Sequence, residues 1–337
     1  MPRNSSLITM TEVPYHDEDP PQKTGHTSQE DAMTRRDFLK ETLTGTAALT
    51  TSLLPDMATA QSHDDHAAEH GHHPDMVPLL AKELAHPFNQ KPEEWLDDHE
   101  KQWQECFDCS NAPVTEVEMV CIDERMLLQA TTQSGKRVLR MAGSGVLWKN
   151  VDELVDAVVT YVTALGKERP LHSITVKLSS HIACGAAGIA FGESPNPDKA
   201  AENFQRGTIV ERLKARGINA VHTGDAPMTK GPHTGIAAAV DCTDGRLQRL
   251  PGINAFTVSD PHNVPHAIEE ALLALKIASG SHAYGEKLPQ FTFIVFSDPA
   301  RPQIAQEIIT ALRQQTQEYT AKGMDIRIVT KTAPAAK

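Results

Sequence analysis

The stretch TEVEMVCIDERM, residues 115–126, decides the fold. Its apolar positions Val117, Met119 and Val120 read as a buried strand, and the strand tip packs Cys121, Asp123, Glu124 and Arg125 together. A second stretch, SSHIACGAAG at 179–188, ends another strand and supplies His181 and Cys184. Outward from these two, β-branched runs alternate with amphipathic segments. KRVLRMAG, HSITVKLSS, INAVHT, INAFTVSD, FTFIVFSD and DIRIVT read as strands. VDELVDAVVTYVTALG, DKAAENFQRGTIVERLKARG, PHAIEEALLALKIASG and PQIAQEIITALRQQTQEYTAKG read as helices, most of them closed by glycine. Such alternation predicts an α/β fold, a mainly parallel sheet flanked by helices on both faces. No internal repeat is expected from this reading.

The remainder of the chain sets bounds. With 337 residues and 39% hydrophobic content it is long enough for a proper core, and its net charge of -12 argues against a nucleic-acid backbone as partner. MTRRDFLKETLTGTAALTTSLL, with Arg35 and Arg36 ahead of a weakly apolar run and ATA at 58–60, resembles a twin-arginine signal peptide over 1–60. It implies export to the periplasm. No run approaches the roughly 20 apolar residues of a membrane span. Residues 61–76 carry His63, His66, His70, His72 and His73 among acids and read as a flexible arm, either a weak metal buffer or a solvated linker. Residues 77–113 read as a helical segment anchored by Trp95 and Trp103, and 114–337 as one α/β domain.

In open parallel sheets ligands bind beyond the carboxyl ends of the strands, where Cys121 and His181 both fall. His181 and Cys184, at H-x-x-C spacing, suit one metal ion gripped from a single turn, with Cys121 arriving from another strand. Three N/S ligands and a fourth open place are the pattern of catalytic zinc. Singly, each of the three is more simply a core residue; their joint placement points to metal.

These residues resemble the β-class carbonic anhydrases, whose hallmark pairs C-x-D-x-R with H-x-x-C-G. Here the first is Cys121, Asp123 and Arg125, and the second His181, Cys184 and Gly185. RVLRMAGSG, with Arg140, Ala142 and Gly143, is similar to the R-N-A-G segment of that family. The resemblance covers about 114–190. It implies Zn²⁺ on Cys121, His181 and Cys184, an Asp123–Arg125 catalytic dyad, reversible hydration of CO₂ to bicarbonate by zinc-bound hydroxide, and at least a homodimer. Two thiolates cancel the charge of Zn²⁺, so a carboxylate kept off the metal by an arginine would have to help activate the water. Hydrolysis of carbonyl sulfide or carbon disulfide, or non-catalytic zinc binding and delivery, are the alternatives.

Glu124, Met141 and Ser180 depart from the usual Ser, Asn and Gly of that pattern. Beyond it, FTFIVFSD, a helix and DIRIVT predict a C-terminal βαβ extension. Asp298 there, at a strand end, reads more simply as a helix N-cap than as a site residue, and Cys242, on a short apolar strand, as a core residue. Cys106 and Cys109 form a C-x-x-C pair open to a disulfide or metal role. His222 and His233 are candidate proton shuttles, more simply incidental loop histidines.

Overall fold

Four parallel strands carry the two motifs: β1 (Glu116–Val120), β2 (Lys136–Arg140), β3 (Thr175–Ser180) and β4 (Asn219–Asp225), in the order β2-β1-β3-β4. The computed structural model describes residues 91–336 apart from 127–130, 168, 229–234, 251–252, 254, 261 and 280–289. The twin-arginine pattern, the His-rich arm and His233 lie outside the described residues.

Apart from a short unpredicted helix over Gly185–Phe191, the described helices lie where the sequence predicts them. Two short ones, α1 (Pro92–Asp98) and α2 (Glu100–Gln104), precede β1, and Trp95 and Trp103 are buried as expected. The crossover helix α3 (Val151–Gly166) starts where the Asn150 side chain accepts a hydrogen bond from the Asp152 backbone N–H, with Asp152 and Glu153 in its first turn. Next come α4 (Gly185–Phe191), α5 (Pro197–Phe204) and α6 (Glu211–Ala215), the last two joined by a π-helical turn over Gln205–Val210.

The chain then departs from the expectation of one sheet with a βαβ extension. β5 (Ala237–Asp241), β6 (Ala255–Val258), β7 (Gln290–Ser297) and β8 (Asp325–Thr332) form a second four-stranded parallel sheet, ordered β6-β5-β7-β8. The helices α7 (Val264–Ser279), α8 (Pro302–Gln315) and α9 (Gln317–Ala321) make its crossovers. Its central strand β5 reads AAAVD and is buried throughout. This is the short apolar strand expected at Cys242; alanine has little strand propensity, yet its small side chain suits a strand covered on both faces.

The two sheets have the same strand order, and α3 and α7 are both 16 residues long. Their contacts are related by a local two-fold. Phe107 bridges Leu247 and Met126 bridges Met228, both antiparallel, and 126 to 247 and 107 to 228 are the same step of 121 positions. Arg140, the last residue of β2, and Ser259, just after β6, exchange backbone hydrogen bonds with each other, Arg140 N to Ser259 O at 3.3 Å and Ser259 N to Arg140 O at 3.1 Å. The absence of an internal repeat is therefore corrected: the described chain is built as two matched halves.

Three apolar clusters hold this arrangement. One runs between the halves, with Val120 and Ile122 of the first beside Ala238, Val240 and Phe256 of the second. Another lies under the first sheet around Leu154, Val158 and Leu178. The third packs Trp95 and Trp103 onto Phe296 of the second sheet, so the N-terminal helices cover the half that follows them last in sequence. Each large side chain so buried stabilises the fold by about 1.5–3 kcal/mol.

Candidate metal centre

The site is built where β1 and β3 end side by side, at the centre of the first sheet. Cys121 follows the last residue of β1 and is buried. The Gly143 backbone N–H donates to its Sγ at 3.2 Å. Gly143 takes φ +59°, and a Cβ there would stand 2.9 Å from that of Val146 and 3.0 Å from that of Ala186, so the approach requires glycine. Ser144, also left-handed, donates from Oγ to the Ser179 carbonyl at 2.7 Å and ties this loop to β3.

On the β3 side, the register against β4 shifts between Leu178 and Ser180, and the Ser180 hydroxyl donates to Asp225 Oδ1 at 2.6 Å. This irregularity re-aims the chain just before His181. Ala183 then adopts φ +56°, unusual for a non-glycine residue. The carboxylate of Asp198 holds the turn, accepting from the Ala183 N–H at 2.7 Å and the Cys184 N–H at 3.1 Å. Cys184 caps α4.

The ligand atoms of Cys121, His181 and Cys184 all lie within 4.8 Å of one another, and the residues are only 4%, 2% and 8% exposed. His181 Nδ1 lies 3.1 Å from the Ile182 carbonyl, which assigns the N–H to Nδ1 and leaves Nε2 as the coordinating atom. Nε2 is buried with no hydrogen-bond partner. A buried, orphaned imidazole nitrogen facing two cysteines is what a metal position requires. The same groups also shift one another's titration. A hydrogen bond from Cys184 holds the Cys121 thiol well below its ordinary value against the cost of burial, with His181 adding to the effect. Burial opposes the charge of His181, but the neighbouring Cys121 thiolate overrides it and raises the imidazole to about 9. The pocket thus already concentrates opposite charge on these atoms. The donor set suits zinc without being specific to it.

Beside it, Asp123 and Arg125 form a bidentate pair: Arg125 Nε donates to Oδ1 at 3.0 Å and a terminal nitrogen to Oδ2 at 2.8 Å. Arg125 also donates to the Ala183 carbonyl at 3.2 Å, tying the dyad to the turn that bears Cys184. The five residues singled out in the sequence therefore come together.

No protein-family model matches the chain, and neither does any curated protein or solved structure. The site's own geometry has to carry the function.

The three departures have separate explanations. Glu124 Oε1 accepts from the Gly235 N–H of the second half at 3.3 Å, so its charge serves a tie between halves. Met141 lies in the apolar cluster with Leu154, and Ser180 is the residue anchored to Asp225. His222 stands two hydrogen bonds from the metal loop: its Nε2 lies 2.9 Å from Gln205 Oε1, and Gln205 Nε2 donates to the Gly143 carbonyl at 2.8 Å. Cys106 and Cys109 are not joined in a disulfide, and the Cys106 thiol donates to the Gln102 carbonyl. Cys242 is fully buried, as expected of a core residue.

Sequence reasoning missed the supporting groups. Asp198 looks like an ordinary first-turn acid of α5, and its reach back to residues 183 and 184 has no local signal. Glu270, on α7 of the second half, accepts from the Ala142 N–H at 2.9 Å; its own partner His266 binds Asp260 as well. Nothing near residue 142 in the sequence announces that contact.

Proposed function

We propose that the protein is a zinc-dependent lyase interconverting carbon dioxide and bicarbonate, exported in folded form. The observation that carries the reading is a carboxylate clamped bidentately by an arginine beside a buried Cys₂His set whose imidazole nitrogen is otherwise unpartnered. Zinc bound there supplies Lewis-acid polarisation of a water molecule. Cys121, His181 and Cys184 would hold it. Arg125 engages both oxygens of Asp123, which keeps the carboxylate from swinging over as a further ligand and sets it to orient a water proton. Gly143 N–H and the Asp198 turn fix the thiolates, so the site does not reorganise when charge develops. Small apolar neighbours in the same buried cluster, Val146, Ala186 and Ala187, suit a small uncharged substrate with little polar recognition. A protein that hands zinc to others needs accessible ligands, and the burial of all three opposes that role. The paired Arg35 and Arg36 support export.

Stopped-flow CO₂ hydration by the zinc-loaded chain, beside Asp123→Asn at equal zinc content, tests the reading. The parent should hydrate CO₂ and the variant should lose on the order of 10²-fold or more in rate. A zinc-loaded parent with no hydration activity refutes it.

A further inference from the structure

The second half repeats the first half's motif with two of its three metal-ligand positions changed. Cys242, Asp244 and Arg246 repeat the C-x-D-x-R of Cys121, Asp123 and Arg125 at the same step of 121 positions that relates the two bridges between the halves. Sheet register extends the match. Met119 pairs with Leu178 in the first sheet, and its counterpart Val240 pairs with Val295 in the second. Three residues beyond Leu178 stands His181; three beyond Val295 stands Asp298. Six beyond stand Cys184 and Arg301, each the cap of the helix that follows, α4 and α8. Of the three metal-ligand positions, the second half keeps the cysteine, exchanges histidine for aspartate and exchanges the other cysteine for arginine.

The exchanged residues meet one another. An Arg301 terminal nitrogen lies 2.5 Å from Asp244 Oδ1 and 3.1 Å from Asp298 Oδ2. Arg246, whose counterpart Arg125 clamps its own Asp123, instead donates to the Thr243 and Pro334 carbonyls and stands 3.8 Å from Asp298. The dyad has changed partners, and Asp244 now faces Arg301 and His262 Nε2, the latter at 3.1 Å. Burial, with the Asp241 carboxylate adding to it, pushes the Cys242 thiol far up, so it stays neutral, opposite to Cys121.

The geometry points to a latent metal site in the second half, in which the guanidinium of Arg301 occupies the ligand position matching Cys184 and supplies the positive charge that a metal would bring. The inference rests on the metal reading of Cys121, His181 and Cys184. It assigns one metal to the described residues of the native chain, and to the second half a cation-locked twin that returns to metal binding when Asp298 becomes histidine and Arg301 cysteine.

The test uses the full chain loaded with Co²⁺, read by metal analysis and by thiolate-to-cobalt absorption. The parent should hold one ion, and Cys242→Ser should leave that unchanged. Asp298→His with Arg301→Cys should add a second ion with its own thiolate band, removed again by Cys242→Ser. Loss of metal from the parent on Cys242→Ser overturns the inference, because the twin would then be a working site already. A folded double variant that takes no additional ion also overturns it. Should that variant not fold, Arg301→Lys and Arg301→Met are compared in urea: the charge-retaining change should keep a midpoint near the parent's and the charge-deleting change should lower it, and equal losses overturn the assignment. Cys121→Ser reports the first site separately. A parent holding no metal would sink the reading of Cys121, His181 and Cys184, while an ion gained by the double variant would still establish the twin.

Discussion

His266 offers the sharpest test of how the second half supports the metal loop. It lies on α7 between Asp260, whose Oδ2 is 2.9 Å from Nδ1, and Glu270, whose Oε1 is 3.3 Å from Nε2, and its ring packs against Trp148. Burial works against its charge, but the two carboxylates prevail and raise it to about 9. An unfolded histidine titrates near 6.5, so the folded state holds this proton more tightly across that window. At about 1.4 kcal/mol per pH unit the difference is worth about 3 kcal/mol. Because the folded value is the higher one, the contribution is complete below pH ~6.5 and disappears as pH rises through about 9. His266→Gln removes it. Urea denaturation of parent and variant at pH 6 and pH 9.5 should show a deficit that shrinks by about 3 kcal/mol between the two. What survives at high pH is the lost ring contact and neutral hydrogen bonds, about 1 kcal/mol. A deficit of equal size at both pH values refutes the claim that His266 is held as a cation between Asp260 and Glu270.

Other expectations follow from the site. Asp198→Ala frees the 183–184 turn and should weaken zinc binding roughly 10- to 100-fold in chelator competition; unchanged affinity would show that the turn holds itself. Gly143→Ala forces a side chain into a left-handed position against Val146 and should cost about 1–3 kcal/mol in urea, with weaker zinc retention. An unshifted midpoint would contradict the close packing seen there. Removing zinc with a chelator should leave the far-UV circular dichroism unchanged, because three apolar clusters hold the fold independently of the metal; unfolding on chelation would assign the metal a structural role.

The candidate metal centre is legible because metal chemistry restricts residue type so severely. Cys121, Asp123, Arg125, His181 and Cys184 have few substitutes, and parallel strands deliver their ends to one edge. The positioning groups were not legible, since carboxylates such as Asp198 and Glu270 serve in any helix as solvated or dipole-facing acids, and only the fold brings them to backbone N–H groups of the site. The second sheet was missed for another reason. Its C-x-D-x-R stands at 242–246, but the positions matching His181 and Cys184, which would announce a repeat, hold Asp298 and Arg301. Asp298 itself was misread: Arg301 caps α8, while Asp298 receives the Ala300 N–H and pairs with arginines.

The exchange of hydrogen bonds between Arg140 and Ser259 has a genetic consequence. In an assembly of identical subunits, every substitution is written on both sides of the axis at once, so losing a ligand silences all copies together. Here the two sides of the axis are spelled by separate codons. Selection can hold His181 and Cys184 fixed while the matching positions change, and a substitution that would strike both sides of a symmetric dimer touches only one side of this chain.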